Sequence, residues 1–190
     1  IEESIVDNIR SWDDRLIHLI DKTYTPLEVS KIASRYASGF SAAYREDFSP
    51  SVAAQDIHFL EAATLGGDLS LYLYRQLESN LSAINLKIYN LRDPLPLSDI
   101  LPKLEKMGLR VISERPYRVR ARSQNKSNDK ETIWIHDLLL HEKSNIEIDI
   151  DIIRDNFGEA LKRVWAGDAE DDGFNSLVVR AGLSWNEVVI

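Results

Sequence analysis

Cysteine is absent from the sequence. That absence excludes a disulfide framework, a thiolate zinc site and a cysteine nucleophile together, and leaves the compartment undecided. Long apolar runs are also missing: no stretch approaches the roughly 20 residues needed to cross a bilayer. The opening Ile1-Glu2-Glu3-Ser4 has no basic segment ahead of an apolar one. Positive charge is in deficit, 23 Lys and Arg against 31 Asp and Glu. The resulting net charge of −8 favours solubility and opposes attraction to nucleic-acid phosphates or anionic lipid. Neither nucleic acid nor membrane is expected as a partner. A Gly-x-Gly-x-x-Gly fingerprint is lacking, and the only adjacent glycines, Gly66-Gly67, follow a helical pattern instead of opening a helix after a strand. No dinucleotide is assigned to these residues.

What is present suits a soluble globular protein: 190 residues, 44% of them hydrophobic, enough for one full core or two small ones. From Ile5 onward Ile9, Trp12, Leu16 and Leu19 recur at spacings of three and four, one stripe of a helix. Thr25-Pro26-Leu27-Glu28 joins a capping box to proline at the first helical position, and Ile32, Tyr36, Phe40 and Ala43 continue a stripe. Ser49-Pro50 opens a third helix carrying Val52, Ala53, Ile57 and Leu60, with Gly66-Gly67 as its stop.

The period then changes from 3.6 to 2. Leu69, Leu71 and Leu73 alternate with Ser70, Tyr72 and Tyr74, and Ile84, Leu86 and Ile88 alternate with Asn85 and Lys87, which predicts two strands. Asp93-Pro94-Leu95-Pro96 breaks the second strand. Ser98 or Asp99 then caps a short helix with Leu101, Leu104 and Met107, ended by Gly108, with Pro102 tolerated in its first turn. Leu109, Val111, Tyr117, Val119 and Ala121 restore alternation around an interruption at Pro116. After polar residues 123–131, Thr132 to Leu140 is strongly apolar, so a long hairpin is expected. Ile146, Ile148 and Ile150 lead into a helix carrying Ile153, Phe157, Leu161 and Val164. Residues 84–166 thus give strand, helix, strand, strand, helix, close to the split βαβ arrangement of ferredoxin-like domains. The closing strand is missing in order, and the one near Leu71 is the candidate for its place. The expected fold class is α+β: N-terminal helices, a ferredoxin-like βαββα sheet unit and C-terminal helices. The expected boundaries are 1–67, 68–150 and 151–190.

Candidate chemistry is sparse. Asp168 to Gly173 resembles the opening of a calcium loop, but Val179 stands at the twelfth position, where a bidentate Glu is required. An acidic helix N-terminus explains it better. His136 and His141, five apart on a strand, point to opposite faces and so do not form a metal pair. Arg115, Arg118, Arg120 and Arg122 set three guanidinium groups on one strand face. That face could hold an anion, although pairing with Glu147, Asp149 and Asp151 is the plainer expectation. Nothing in the spacing of Ser, His and Asp marks a triad, so no catalytic or metal residue is assigned.

Leu97-Ser98-Asp99-Ile100-Leu101-Pro102-Lys103-Leu104-Glu105-Lys106-Met107-Gly108-Leu109, continuing to Tyr117, resembles the large bacterial NAD-dependent glutamate dehydrogenases. Ile133-Trp134-Ile135-His136-Asp137, Val164-Trp165-Ala166-Gly167, Asp171 to Trp185 and Tyr44 to Pro50 are similar to the same family, so the likeness spans nearly the whole chain. Two further features agree. The sequence starts at Ile1 instead of methionine, and Ser184-Trp185-Asn186-Glu187 has the form of a capping box just before the end. Both are expected of an internal piece of a longer polypeptide.

The resemblance implies a region ahead of the dehydrogenase domain, made of ACT-like regulatory modules joined to helical segments. For the parent it implies oxidative deamination of L-glutamate to 2-oxoglutarate and ammonia with NAD, in the cytoplasm, as an oligomer. The family's catalytic Lys, Asp and nucleotide-binding glycines have no matching position here. Its implied partners are other domains and subunits of the same enzyme. ACT modules often bind an amino acid where the first strand meets the first helix, which gives Asp93, Leu95, Leu97 and Ser98 as a possible effector loop. Pro94 and Pro96 lack N–H donors, which puts assembly ahead of effector sensing. A stand-alone amino-acid-binding module and a small self-sufficient enzyme are the alternatives.

Overall fold

The computed structural model describes residues 11–66, 69–76, 82–123 and 129–188. Ile5 and Ile9, and the hairpin tip at 124–128, lie outside them. The first described helix, α1 (Trp12–Thr23), is capped by Ser11, whose Oγ accepts from the Asp14 N–H while the Asp14 carboxylate accepts in return. Such a cap contributes about 1 kcal/mol. Helix α2 (Pro26–Tyr36) opens the same way, with Glu28 accepting from the Thr25 N–H at 3.0 Å.

The stripe expected to run on to Ala43 does not stay in one helix. α2 ends at Tyr36, Phe40 forms a bridge with Val119, and a separate α3 (Ala42–Asp47) follows Ser41. Gly39 is the reason. Its carbonyl accepts from the Arg120 N–H, and a Cβ there would sit 2.9 Å from the Arg120 carbonyl oxygen, so only glycine lets the backbone approach the strand. Helix α4 (Pro50–Gly66) then buries Ala53, Ile57, Leu60 and Ala63.

Four strands, β1 (Ser70–Tyr74), β2 (Ala83–Leu91), β3 (Leu109–Arg122) and β4 (Lys130–Glu142), form one antiparallel sheet in the order β1-β2-β4-β3. The strand around Leu71 therefore occupies the edge beside β2 that the βαββα order left open. Pro116 does not interrupt β3: the strand runs through it, and the register slips instead between Val111 and Ser113. β3 is an edge strand, where a missing N–H need cost no ladder bond.

Helix α5 (Leu97–Lys106) starts at an N-cap of Pro96, not at Ser98 or Asp99. Pro102 accordingly lies in its interior and not in the first turn. Amphipathic packing of Ile100 and Leu104 holds the helix despite the lost bond. Helix α6 (Ile150–Ala166) is followed by a 3-10 turn (Gly173–Asn175), α7 (Ser176–Ala181) and α8 (Trp185–Val188).

The period-2 pattern sorts side chains onto two faces. Ile84, Leu86, Ile88, Leu138 and Leu140 meet α5, α6 and the last helices in one apolar core. Tyr89, Tyr117, Val119, Ile133 and Ile135 meet α1 to α4 in another. The protein is a sheet between two helical layers, α+β in class.

Candidate functional site

The turn from β2 into α5 is built by its own backbone. Arg92, in the left-handed region at φ 74°, donates its N–H to the Thr132 carbonyl at 2.8 Å. Asn90 Nδ2 donates to the Asp93 carbonyl at 2.8 Å. Leu95 is 4% exposed and packs in the core, Leu97 is half-buried, and Asp93 and Ser98 face solvent. The four residues of the expected effector loop therefore divide, two inward and two outward.

The Leu95 N–H donates to Nε2 of His136 at 3.0 Å. An accepting Nε2 requires the proton on Nδ1, which is 2.7 Å from Glu114 Oε1 and donates to it. His136 is buried on β4, so one side chain connects an edge strand, a central strand and the turn. Its burial lay within reach of the sequence reading, because it falls in phase with Leu138 and Leu140. Its partners did not, because Leu95 and Glu114 are 41 and 22 residues away.

The opposite face hides a polar cluster that alternation alone did not reveal. Lys87 and Asp56, 1% and 0% exposed by side chain, form an ion pair of 2.7 Å. Tyr44 and Tyr89 donate their hydroxyls to the same carboxylate at 2.6 and 2.8 Å. The Lys87 ammonium also lies 3.9 Å from the centre of the Phe48 ring. Nearby, Tyr74 donates to Asp137 at 2.9 Å. Burial, then the adjacent Asp56 charge, pushes the Tyr44 and Tyr89 phenols far above their usual value. Burial likewise raises the Asp137 carboxyl, against the bond from Tyr74. A buried pair with both members hydrogen-bonded ties α4 to β2. Asp56 thus accepts three hydrogen bonds, from Lys87, Tyr44 and Tyr89.

The other candidates resolve without chemistry. Asp171 pairs with Lys103 and Lys106 of α5, and Asp172 Oδ1 accepts from the Phe174 N–H to open the 3-10 turn. Pairing of the arginines with Glu147, Asp149 and Asp151 does not occur. Arg115 pairs with Asp47, and Asp151 pairs with Arg154. Glu147, Asp149 and Asp151 border a separate cleft of about 650 Å³ beside Arg75 and Arg154. The acids follow β4 at the end away from the hairpin tip, whereas Arg118 to Arg122 approach the tip, and that separation is the physical reason. A second cleft of about 650 Å³ lies between α2, α4 and the end of the hairpin, with Lys31, Arg35, Glu61 and Arg122 on its walls. Arg35 there is held by Glu61 and Glu131.

Among the described residues no group of three or more His, Asp or Glu is placed to hold a metal. The residues do not fit a dinucleotide either. The sheet is antiparallel throughout, and its strand-to-helix turn carries two prolines and a Leu95 N–H already engaged. Among these residues no helix is long and apolar enough to cross a membrane.

A four-stranded antiparallel sheet in this order, with α5 and α6 on one face, defines an α+β protein of the ferredoxin-like, ACT type. Residues 68–153 match the glutamate dehydrogenase ACT3 domain, 28–63 its helical motif 2 and 169–190 its helical motif 3. The chain is 38% identical over its whole length to the NAD-specific glutamate dehydrogenase of Halomonas elongata, and 33% to that of Pseudomonas aeruginosa. It is 29% identical to the enzyme of the same description from Mycobacterium tuberculosis. All of the chain is covered in each case, and it spans 11% of the length of each relative. The chain belongs to the NAD-specific glutamate dehydrogenase family, within the region formed by its ACT and helical-motif domains.

Proposed function

We propose that the chain is a non-catalytic regulatory and assembly segment of an NAD-dependent glutamate dehydrogenase, whose whole polypeptide deaminates L-glutamate oxidatively to 2-oxoglutarate and ammonia. In this reading residues 1–67 are a helical segment, 68–150 the ACT-like domain and 151–190 a helical segment leading toward the catalytic domain. Its partners are the other domains and subunits of the same cytoplasmic, oligomeric enzyme. The observation that favours assembly over sensing is the bond from the Leu95 N–H to His136. A ligand carboxylate at the turn needs backbone donors, Pro94 and Pro96 have none, and Leu95 is already committed.

The test compares NADH formation from L-glutamate by the 190-residue chain and by a polypeptide as long as the relatives. Activity confined to the long polypeptide supports the reading, and activity in the short chain overturns it. A second reading, an amino-acid-sensing module, is favoured by the match to an ACT domain and by the exposed Asp93 and Ser98 at the turn. Calorimetry with L-glutamate and L-aspartate decides it: saturable heat that Ser98→Pro abolishes establishes sensing, and its absence at millimolar ligand leaves assembly.

A further inference from the structure

The hairpin outruns the helices on its first face. β3 has 14 residues, about 46 Å at 3.3 Å per residue, whereas α5 has 10 and spans about 15 Å and α6 has 17 and spans about 26 Å. The half nearest the tip is backed on its other face by Tyr117, Val119, Ala121 and Ile133, packed against the N-terminal helices. On the uncovered side the register sets Arg118 and Arg120 opposite Trp134 and Thr132, with Arg122 opposite Lys130 at the end of the hairpin, where Arg122 also borders the cleft beside α2 and α4. The three arginines and Lys130 are exposed and Trp134 is half-buried. Exposed Arg92 adjoins them, its carbonyl accepting from Trp134 Nε1 at 3.2 Å.

No side chain among the described residues pairs with Arg92, Arg118, Arg120, Arg122 or Lys130. A bare antiparallel face is ordinarily polar and mixed in sign. Like charges set side by side on one face repel. Here the cations are gathered in a chain whose acids outnumber its bases. Guanidinium groups on alternate residues of a strand stand about 7 Å apart, and each offers a planar fork that matches a carboxylate. We infer that this face docks an acidic protein segment, which lies across Arg118 and Arg120 and continues the layer begun by α5. The backing helices fix the strand, so the ordering on contact is confined to the exposed side chains. A polyanionic duplex is the poorer occupant, because the rest of the chain repels it.

This deepens the assembly role proposed above, and its test reads the face alone, so failure here leaves the dehydrogenase assignment standing. The probe is a short labelled peptide alternating glutamate with threonine, followed by fluorescence anisotropy on the 190-residue chain. Binding is expected to weaken at least about tenfold between about 0.05 and 0.3 M salt. Arg118→Glu with Arg120→Glu removes it, Arg118→Gln with Arg120→Gln weakens it, and Lys162→Glu on α6 leaves it unchanged. Circular dichroism of each variant confirms the fold. Peptide binding indifferent to the reversal overturns the inference, and so does no binding at all. Tighter binding of duplex DNA through the same arginines, or self-association that the reversal abolishes, also overturns it in favour of that other occupant.

Discussion

Nε2 of His136 accepts the N–H of Leu95 at 3.0 Å, so a central strand holds the turn that precedes α5. Replacing His136 with alanine leaves the Leu95 N–H buried and unpartnered, a loss of about 1–3 kcal/mol. His136→Gln, which retains an acceptor, recovers part of it. Hydrogen exchange at the Leu95 amide is the measurement, and protection that persists in the alanine variant rejects the latch.

Asp56 and Lys87 form the second test. Lys87→Ala strands a carboxylate in the core and is expected to destabilise by about 3–5 kcal/mol. Lys87→Met with Asp56→Leu removes both charges and is expected to lose less than the single variant, leaving only the Tyr44 and Tyr89 hydroxyls unmatched. Urea unfolding of the variants checks the order, and a double variant weaker than Lys87→Ala refutes it.

Tyr36, Tyr44, Tyr74, Tyr89 and Tyr117 all hold phenols above the ordinary value of 10, in each case chiefly through burial. A raised folded-state value stabilises fully below the unfolded value and is lost as pH climbs above it. Stability should therefore decline from about pH 10 upward, and phenolate absorbance should appear together with unfolding. Ionisation of all seven tyrosines while the circular dichroism stays native counts against the structure.

Glu142 works in the other direction. Burial alone would raise its carboxyl. The Ile146 N–H, Arg180 and the Ser144 N–H outweigh burial and bring it below the ordinary 4.5. Its contribution is present above that value and disappears as pH falls through the lowered one. Glu142→Gln should be less stable than the native chain at pH 7, and the difference should close in acid. A gap independent of pH rules the carboxylate charge out as its cause.

The strands were legible in the sequence because alternation survives wherever one face of a strand meets a core. Ile84, Leu86 and Ile88 declared β2, and Leu109 with Tyr117, Val119 and Ala121 declared β3. The same rule did not foretell that the polar residues of β2, Lys87 and Asn85, are buried as well. The available signal was Tyr72, Tyr74 and Tyr89, three aromatic residues on the same face as Lys87 and Asn85. Helical spacing failed at Phe40, because a stripe of every fourth residue cannot register a close approach permitted by one glycine. Charge pairing failed at Arg118 to Arg122, since complementary spacing says nothing about which end of a sheet a loop occupies. Of the expected turn, sequence gave the position and the prolines, and only the three-dimensional structure gave the histidine.

Leu69, just ahead of β1, borders the same cleft as Trp165 and Ala166 at the end of α6. The strand that fills the vacant edge thus begins beside the point where the closing strand of a βαββαβ unit would be expected to start. The sheet unit is a circle opened at a different link, with β1 threaded first instead of last. A rearranged chain that enters at β2, passes from α6 through a short linker into β1 and ends there would keep every strand pairing.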